Sequence, residues 1–239
     1  MKILRRALFF CLFLNVYHFA FAQQVPEFGQ FTTEEIAMKE CSFDKTAEAV
    51  ILLDKAISNY DDQYNLITGR RIRLKILKEK GISRGNIKIF YTHRNDFENI
   101  GRIKGIVGSK DENGNLEFTK LELKSIFKRK VNENYSELTF AMPNVKVGSI
   151  IEYEYESIMD SYSGLQDWYF QSDIPTVLSS YNLYIAPTLE FTYIVRKSEF
   201  MPATVQPEPS EGRVYFEMKN IPGLRDESYS TSYRDFYKG

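Results

Sequence analysis

The stretch from Phe140 to Tyr155 reads FAMPNVKVGSIIEYEY, and it contains the clearest secondary-structure signal in the chain. After Gly148, apolar or aromatic residues alternate with glutamates. The two sets are Ile151, Tyr153 and Tyr155 against Glu152, Glu154 and Glu156. Because successive side chains of a strand face opposite sides, this alternation predicts a half-buried β-strand with one acidic, solvated face.

A second alternating segment, Arg71–Leu77, carries positive charge. The two sets there are Ile72, Leu74 and Ile76 against Arg71, Arg73 and Lys75. The whole basic stretch, which could bind polyanions, consists of Arg70, Arg71, Arg73, Lys75, Lys78 and Lys80. A half-buried strand explains the pattern more simply, because one of its faces must be solvated. We therefore expect this strand and the acidic one to share a sheet and to exchange exposed ion pairs, each worth ~0.2–1 kcal/mol.

The rest of the chain predicts mostly strands separated by polar turns. Thr33–Lys39 has the residues of a capped short helix, and Ala47–Ile57 suits either a buried strand or a short helix. Asp111–Gly114 predicts a hairpin loop, and Pro202–Gly212 predicts a long exposed loop. Further predicted strands are Ile87–Tyr91, Ile103–Gly108, Leu116–Leu123, Ser136–Ala141, Asp167–Gln171, Val177–Ile185, Phe191–Val195 and Val214–Met218. This organisation predicts a mainly all-β fold, an antiparallel β-sandwich with one or two short helices.

The N-terminus predicts export. Basic residues precede an apolar run from Ala7 to Phe19, and the small residues up to Ala22 supply a cleavage site. We expect residues 1–22 to be a cleaved signal peptide, residues 23–239 to form a single β-sandwich domain, and the protein to be periplasmic or secreted. The apolar run is too short to span a bilayer comfortably, and no later segment resembles a membrane span.

The composition of the mature chain narrows its partners. Three basic residues leave with the signal, which shifts the formal net charge from -1 to -4 and argues against nucleic acid as the main partner. One cysteine, Cys41, and one histidine, His93, remain. A single cysteine forms no internal disulfide, so stability must come from a hydrophobic core.

A thiol enzyme would need these two residues as nucleophile and base. Asp96 or Asp111 would have to orient the base. The residues around Cys41 form no electropositive turn that would present a nucleophile, and a buried thiol beside a surface histidine explains them as well. We expect no catalytic residue in this chain.

A calcium loop is the second chemical pattern that the sequence suggests. Its oxygen ligands would be Asp111, Asn113, Asn115 and Glu122. Leu116 stands where such a loop needs glycine, and the flanking segments resemble strands rather than helices. We therefore expect a hairpin turn here, and neither a metal nor a cofactor.

Aromatic side chains provide the candidate binding residues: Trp168, Tyr169, Tyr153 and Tyr155. Such rings can form a stacking platform for a glycan or a peptide, and they equally fill the core between two sheets. An exposed aromatic patch of several hundred Å² would favour binding, whereas buried rings would favour a scaffold.

Five segments in order resemble domain of unknown function 3857 (DUF3857), a module of secreted bacterial proteins. They are KECSFDKTAEAVILLDKA (Lys39–Ala56), RRIRLKILKEKGI (Arg70–Ile82), FAMPNVKVGSIIEYEYE (Phe140–Glu156), LQDWYFQSDIP (Leu165–Pro175) and MKNIPGLRDESY (Met218–Tyr229). The module typically precedes a transglutaminase-like, papain-fold cysteine domain. The resemblance implies an antiparallel β-sandwich similar in shape to the N-terminal sandwich of zinc aminopeptidases.

The resemblance also implies a function. The DUF3857 module has no known catalytic residues, and the Cys, His and Asp triad of the domain that follows it is absent from this chain. We therefore expect a non-catalytic exported accessory module that positions, covers or recruits substrate for a transglutaminase-like domain, in cis if the chain is a fragment. The alternatives are a stand-alone carbohydrate- or peptide-binding β-sandwich and a lone-thiol enzyme.

Overall fold

A computed structural model describes residues 25–160, 165–187, 189–196, 203–208 and 211–224. The predicted signal peptide and its cleavage site lie outside these residues. β-Strands make up most of the regular structure of the described chain, which confirms the predicted mainly all-β class.

The strands are joined by turns and a few short helices. Among the described residues, α1 spans Thr33–Ala37, and 3-10 helices span Glu79–Gly85, Arg94–Asp96 and Leu123–Ser125. The strands are β1 Ala49–Tyr60, β2 Leu66–Ile76, β3 Asn86–Thr92, β4 Glu98–Lys110, β5 Leu116–Lys120, β6 Phe127–Lys130, β7 Tyr135–Ala141, β8 Ile150–Met159, β9 Thr176–Tyr184, β10 Ala203–Glu208 and β11 Arg213–Ile221. The segment Ala47–Ile57, for which strand and helix were both open, is therefore mostly strand.

These strands form two sheets. The larger has the order β10-β11-β9-β1-β2-β8-β4-β5, and the smaller has the order β3-β7-β6. Neighbouring strands run antiparallel except β1 and β9, which run parallel.

A hydrophobic core lies between the two sheets. Ile72 of β2 and Ile151 of β8 belong to the same buried cluster as Ile87 of β3 and Phe140 of β7. Full burial of each such side chain contributes about 1.5–3 kcal/mol. Because these side chains come from the facing surfaces of both sheets, the fold is a β-sandwich, as predicted.

Two segments predicted to be strands are irregular. Residues 167–171 and 191–195 form no backbone ladder, although both are rich in aromatic residues. Trp168 packs on β9 through its ring, and Phe191 stacks on Tyr60 with ring centroids 6.3 Å apart. Their apolar content therefore serves side-chain packing rather than strand pairing.

The predicted loop Pro202–Gly212 contains a strand, β10. Val205 of β10 pairs with Phe216 of β11, so the large sheet ends one strand later than the sequence indicated. Pro207 is compatible with this strand because β10 lies at the edge of the sheet, where an N–H on the open side has no ladder partner to lose.

Residues 26–38, which we call the N-terminal strap, cover the charged face of β2 and β8. Helix α1 lies within the strap and begins with a capping box. Thr32 Oγ1 accepts a hydrogen bond from the Glu35 N–H at 3.1 Å, and the Glu35 carboxylate accepts one from the Thr32 N–H at 2.8 Å. Lys75 anchors the strap by donating to the Ile36 carbonyl at 3.1 Å.

The strap changes the environment of the acidic strand. Arg73 and Glu152 are paired neighbours of β2 and β8, which confirms that the two strands share a sheet. The predicted solvation of Glu152 is wrong, because its side chain is 0% exposed. Glu152 Oε1 accepts from Arg71 at 2.7 Å and from Arg73 at 3.0 Å, while Oε2 accepts from the Gly29 N–H at 2.6 Å.

Candidate functional site

A cavity of about 220 Å³ lies between the two sheets. Arg70 of β2 and Tyr155 of β8 line it from the large sheet, and Phe90 of β3 lines it from the small sheet. Trp168 also lines the cavity, from the irregular segment before β9, and Glu98 lines it from the start of β4. We call this space the intersheet cavity.

Trp168 is held by contacts on several sides. Its ring stacks on Tyr181 with centroids 5.3 Å apart and planes 14° apart, and it meets Phe170 edge-on at 6.4 Å. Its Nε1–H donates to Ser179 Oγ at 3.2 Å. Trp168 is therefore a fixed wall of the intersheet cavity, with its orientation set by β9.

Arg70 lies against the Trp168 ring and forms an ion pair with Asp54. Its Nε donates to Asp54 Oδ1 at 2.9 Å and its Nη2 to Asp54 Oδ2 at 2.7 Å, and its guanidinium carbon lies 4.7 Å from the Trp168 ring centroid. Burial alone would lower the pKa of Arg70, but the Asp54 carboxylate outweighs it and raises that pKa well above its usual value. The Nη1 group has no hydrogen-bond partner among the described residues.

Tyr181 connects the cavity wall to a small hydroxyl network. Its hydroxyl donates to Ser58 Oγ at 2.9 Å, and Ser58 Oγ lies 2.6 Å from Thr68 Oγ1. Burial raises the pKa of Tyr181, although the bond with Ser58 acts in the opposite direction. The ring therefore stays neutral at physiological pH and serves as a stacking partner with a fixed hydroxyl.

Glu98 places a buried carboxylate in the cavity wall. Its Oε1 accepts from Ser157 Oγ at 2.6 Å and its Oε2 accepts from the Thr92 N–H at 2.9 Å. The residue is 4% exposed. Among the described residues, no cation pairs with it, so both of its hydrogen bonds come from neutral donors.

The structure brings together two of the four predicted binding residues. Trp168 and Tyr155 line the intersheet cavity. Tyr153 instead meets Phe140 edge-on at 6.0 Å within the core, where burial raises its pKa. Tyr169 is 48% exposed and does not line the cavity. The predicted set therefore divides into a cavity pair, a core residue and a surface residue.

Sequence reasoning missed Arg70 and Glu98 at this site. Arg70 had a usable signal, because it shares strand parity with Ile72 and Leu74 and must therefore face the core side of β2. Glu98 stands in no comparably distinctive pattern.

The residues of the thiol-enzyme hypothesis lie in different parts of the fold. Cys41 is buried in a second apolar cluster with Val50 and Leu77. His93 follows β3, and its Nδ1 lies 3.0 Å from Ser136 Oγ of β7. The two side chains are therefore placed in separate environments.

The predicted hairpin at Asp111 is confirmed. Asp111 Oδ1 accepts from the Asn115 N–H at 2.7 Å and the Asn113 N–H at 2.8 Å, and Gly114 has a positive φ of 85°. These bonds lower the pKa of the Asp111 carboxyl, with Asn115 as the main cause. In the described part of the chain, no group of three or more His, Cys, Asp or Glu side chains could hold a metal ion.

No helix within the described ranges has the length and apolar character needed to cross a bilayer.

Comparison with known proteins identifies relatives of this fold. Residues 66–225 match the profile of a family described as a Domain of Unknown Function with solved structure, DUF3857. No curated protein matches the chain.

Two solved structures resemble the sandwich. The first is described as a "putative protease" from Parabacteroides distasonis, with 13% identity and a TM-score of 0.58 over 78% of this chain and 38% of that one. The second is native yeast LTA4 hydrolase, with 9% identity and a TM-score of 0.35 over 73% of this chain and 27% of that one. The chain thus spans well under half the length of either structure, and the likeness to the first is one of fold.

Proposed function

This chain belongs to the DUF3857 family, and on that premise we propose that it is a non-catalytic, exported accessory module. In this proposal the β-sandwich positions, covers or recruits substrate for a transglutaminase-like cysteine domain. The chemistry belongs to that second domain, and the sandwich contributes a binding surface.

The observation that carries the proposal is the family match together with the size of the similar solved structure. The sandwich corresponds to 38% of a chain described as a "putative protease". A fold that forms a minor part of such a chain is suited to an accessory role beside a larger remainder. This support comes from likeness of fold, and the site on this chain must supply the binding chemistry.

The intersheet cavity is the surface that we assign to recruitment. It combines the aromatic rings of Trp168 and Tyr155 with the charged groups of Arg70 and Glu98. Ligand sites in proteins commonly join apolar walls to a few fixed polar groups, and this cavity has both.

A stand-alone binder of peptides or carbohydrates is the second candidate function. The position of Trp168 and Tyr155 in the cavity wall favours it, because aromatic rings with a polar group contribute large contact area at binding surfaces. In that case the chain would bind its ligand with the same residues and would have no effect on a catalytic domain.

The test compares three proteins: a transglutaminase-like cysteine domain alone, the same domain joined to the C-terminal side of this sandwich, and the sandwich alone. We expect the joined protein to have a lower KM than the catalytic domain alone, and the sandwich alone to turn over no substrate. Unchanged kinetics together with ligand binding by the sandwich would support the stand-alone binder instead. Turnover by the sandwich alone would contradict both candidates.

Export is a separate element of the proposal and has its own test. Its support is the basic and apolar N-terminal sequence that ends near Ala22. Fractionation of expressing bacteria, followed by mass spectrometry of the mature N-terminus, should find the protein outside the cytoplasm and beginning at Gln23.

A further inference from the structure

Strand β3 lies at the edge of the small sheet, and its hydrogen-bonding register shows which backbone groups face outwards. The Met142 N–H donates to the Gly85 carbonyl at 2.8 Å, and the His93 N–H donates to the Asn134 carbonyl at 2.9 Å. These two bonds and the β3–β7 register place residues 87, 89 and 91 in the hydrogen-bonded positions facing β7. Residues 86, 88, 90 and 92 therefore direct their N–H and C=O groups to the open edge.

The two ends of this open edge are satisfied within the chain. The Asn86 N–H donates to the Ser83 carbonyl, and the Thr92 N–H donates to Glu98 Oε2 at 2.9 Å. Between them, the N–H groups of Lys88 and Phe90 have no hydrogen-bond partner in the described chain. The middle of β3 thus presents an unpaired strand edge, the feature to which an extended peptide can add.

The unpaired edge runs beside the intersheet cavity. Lys88, Ile89 and Phe90 all line the cavity, so a peptide paired with β3 would place alternate side chains next to it. Phe90 itself is 60% exposed, and its ring lies on the outer face of the small sheet. A strand edge supplies affinity through the backbone, and an adjacent cavity supplies selection of one side chain.

The charges lining the cavity favour a basic side chain. Two carboxylates, Glu98 and Asp167, line it together with two cations, Arg70 and Lys88. Asp54 neutralises Arg70 by a bidentate ion pair, whereas Glu98 accepts hydrogen bonds from neutral donors and pairs with no cation of the described residues. A buried carboxylate without a cation is stabilised by an incoming ammonium or guanidinium group.

We propose that the β3 edge binds an extended peptide by strand addition, with a lysine or arginine side chain of the peptide in the intersheet cavity near Glu98. The inference rests on the proposed recruiting function and names its substrate class. An extended segment of a protein or peptide substrate is recognised by its backbone over Lys88 and Phe90 and by one basic side chain.

The first experiment measures binding of two probe peptides to the mature chain by calorimetry. The probes are acetyl-Thr-Val-Ser-Lys-Ser-Val-Thr-amide and the same peptide with glutamate in place of lysine. We expect the lysine probe to bind about tenfold tighter than the glutamate probe. Glu98→Gln keeps the shape; its amide oxygen can accept from the Thr92 N–H and its amide nitrogen can donate to Ser157 Oγ, so both contacts persist without the charge. This variant should abolish the preference. Glu156→Gln, which changes a carboxylate paired with Arg102, should retain it.

The backbone part of the proposal is tested on the peptide, so that folding of a variant cannot obscure it. Single N-methyl groups are placed at successive positions of the lysine probe. Because amides of a strand face alternate edges, methylation at every second position should weaken binding by about tenfold, and methylation at the positions between should have little effect. Equal effects at all positions, or no binding of either probe, would overturn strand addition.

A matched pair of protein variants tests the same backbone hydrogen bonding from the side of β3. Phe90→Pro removes the outward N–H without removing a β3–β7 bond, and Phe90→Ala removes the ring while keeping that N–H. The proline variant should lose most of the affinity that the alanine variant retains, provided that circular dichroism shows both folded. If the probes do not bind but the joined protein still lowers KM, strand addition fails while the recruiting function stands. If the lysine probe binds with alternating sensitivity to N-methylation but the joined protein shows no change in KM, strand addition stands and the recruiting function fails.

Discussion

Arg73 of β2 and Glu152 of β8 form an ion pair of 3.0 Å that is almost completely buried, with 1% and 0% of the two side chains exposed. Glu35 of the N-terminal strap completes the site by accepting from Arg73 at 2.8 Å. Removing one partner of such a pair leaves an uncompensated charge in the protein interior, which is costly. The charged face of β2 and β8 is therefore an internal surface that the strap closes.

Glu152→Leu should destabilise the protein by about 3–5 kcal/mol, because it leaves Arg71 and Arg73 without their shared carboxylate. The matched control is Glu154→Leu, two residues further along the same strand. Glu154 pairs with Lys104, whose side chain is more than half exposed, so that loss should stay within about 1 kcal/mol. Urea unfolding of both variants measures the difference, and equal losses would show that the strap does not bury this face.

The contact between the strap and the sheet depends on a glycine in β4. A Cβ at Gly108 would clash with the ring of Phe31, which lies 5.0 Å from the Arg73 guanidinium carbon. Gly108→Ala should therefore cost about 1–3 kcal/mol by displacing the ring. Gly69→Ala is the control, since a Cβ there would meet no atom of the described residues within 4 Å, and it should leave stability unchanged or raise it by up to about 1 kcal/mol. Thermal unfolding distinguishes the two, and a neutral Gly108→Ala would contradict tight packing of Phe31.

Lys75 should make stability depend on pH in the alkaline range. Burial and the nearby Lys110 lower its pKa to about 8, against the attraction of Glu35, whereas lysine in an unfolded chain has a pKa of about 10.4. Between these two values the unfolded state binds more protons than the folded state. The free energy of unfolding should therefore rise with pH from about 8 towards 10.

The measurement is urea unfolding of wild type and Lys75→Met between about pH 8 and 9.5. This window avoids the opposing effect of buried tyrosines. The pKa of Tyr181, for example, is raised in the folded state, so ionisation of this tyrosine in the unfolded state lowers the free energy of unfolding only above about pH 10. The wild type should gain stability relative to the variant as pH rises. Parallel pH profiles would mean that Lys75 keeps an ordinary pKa.

Trp168 and Tyr169 are adjacent in sequence and differ in their positions, which gives another matched pair. Trp168 lines the intersheet cavity, and Tyr169 lies outside it. Trp168→Ala should weaken binding of the lysine probe by at least about tenfold, and Tyr169→Ala should change it by less than about twofold. Calorimetric titration compares them, and a larger effect at Tyr169 would move the binding site to the outer surface.

The sequence predicted most of the strands correctly, but it did not predict which surfaces are covered by residues that are distant in the chain. The alternation in residues 150–156 predicted β8, because strand period depends on neighbouring residues. The opposite charges of the two alternating segments predicted that β8 and β2 share a sheet. It could not predict burial of Glu152, since the Gly29 N–H that binds this carboxylate is 123 residues away. Strand β6, with the sequence FKRK, was also missed, because all of its residues are exposed and no alternation marks it.

The sequence predicted only part of the candidate site, because it shows the type of each residue but does not show where the fold places its side chain. Trp168 and Tyr155 were identified from residue type alone, and both line the cavity. Tyr153 and Tyr169 had the same residue-type signal, but core packing and exposure place them elsewhere. The contribution of Glu98 depends on where β4 begins relative to β3, which is a property of the folded chain.

The most direct test of the recruiting function is the KM of a transglutaminase-like cysteine domain for a lysine-containing peptide substrate, measured alone and joined to this sandwich. The sandwich should lower KM and leave kcat unchanged, because it contributes binding and no chemistry. Trp168→Ala in the joined protein should return KM to the value of the catalytic domain alone. A KM that is the same with and without the wild-type sandwich would contradict the account.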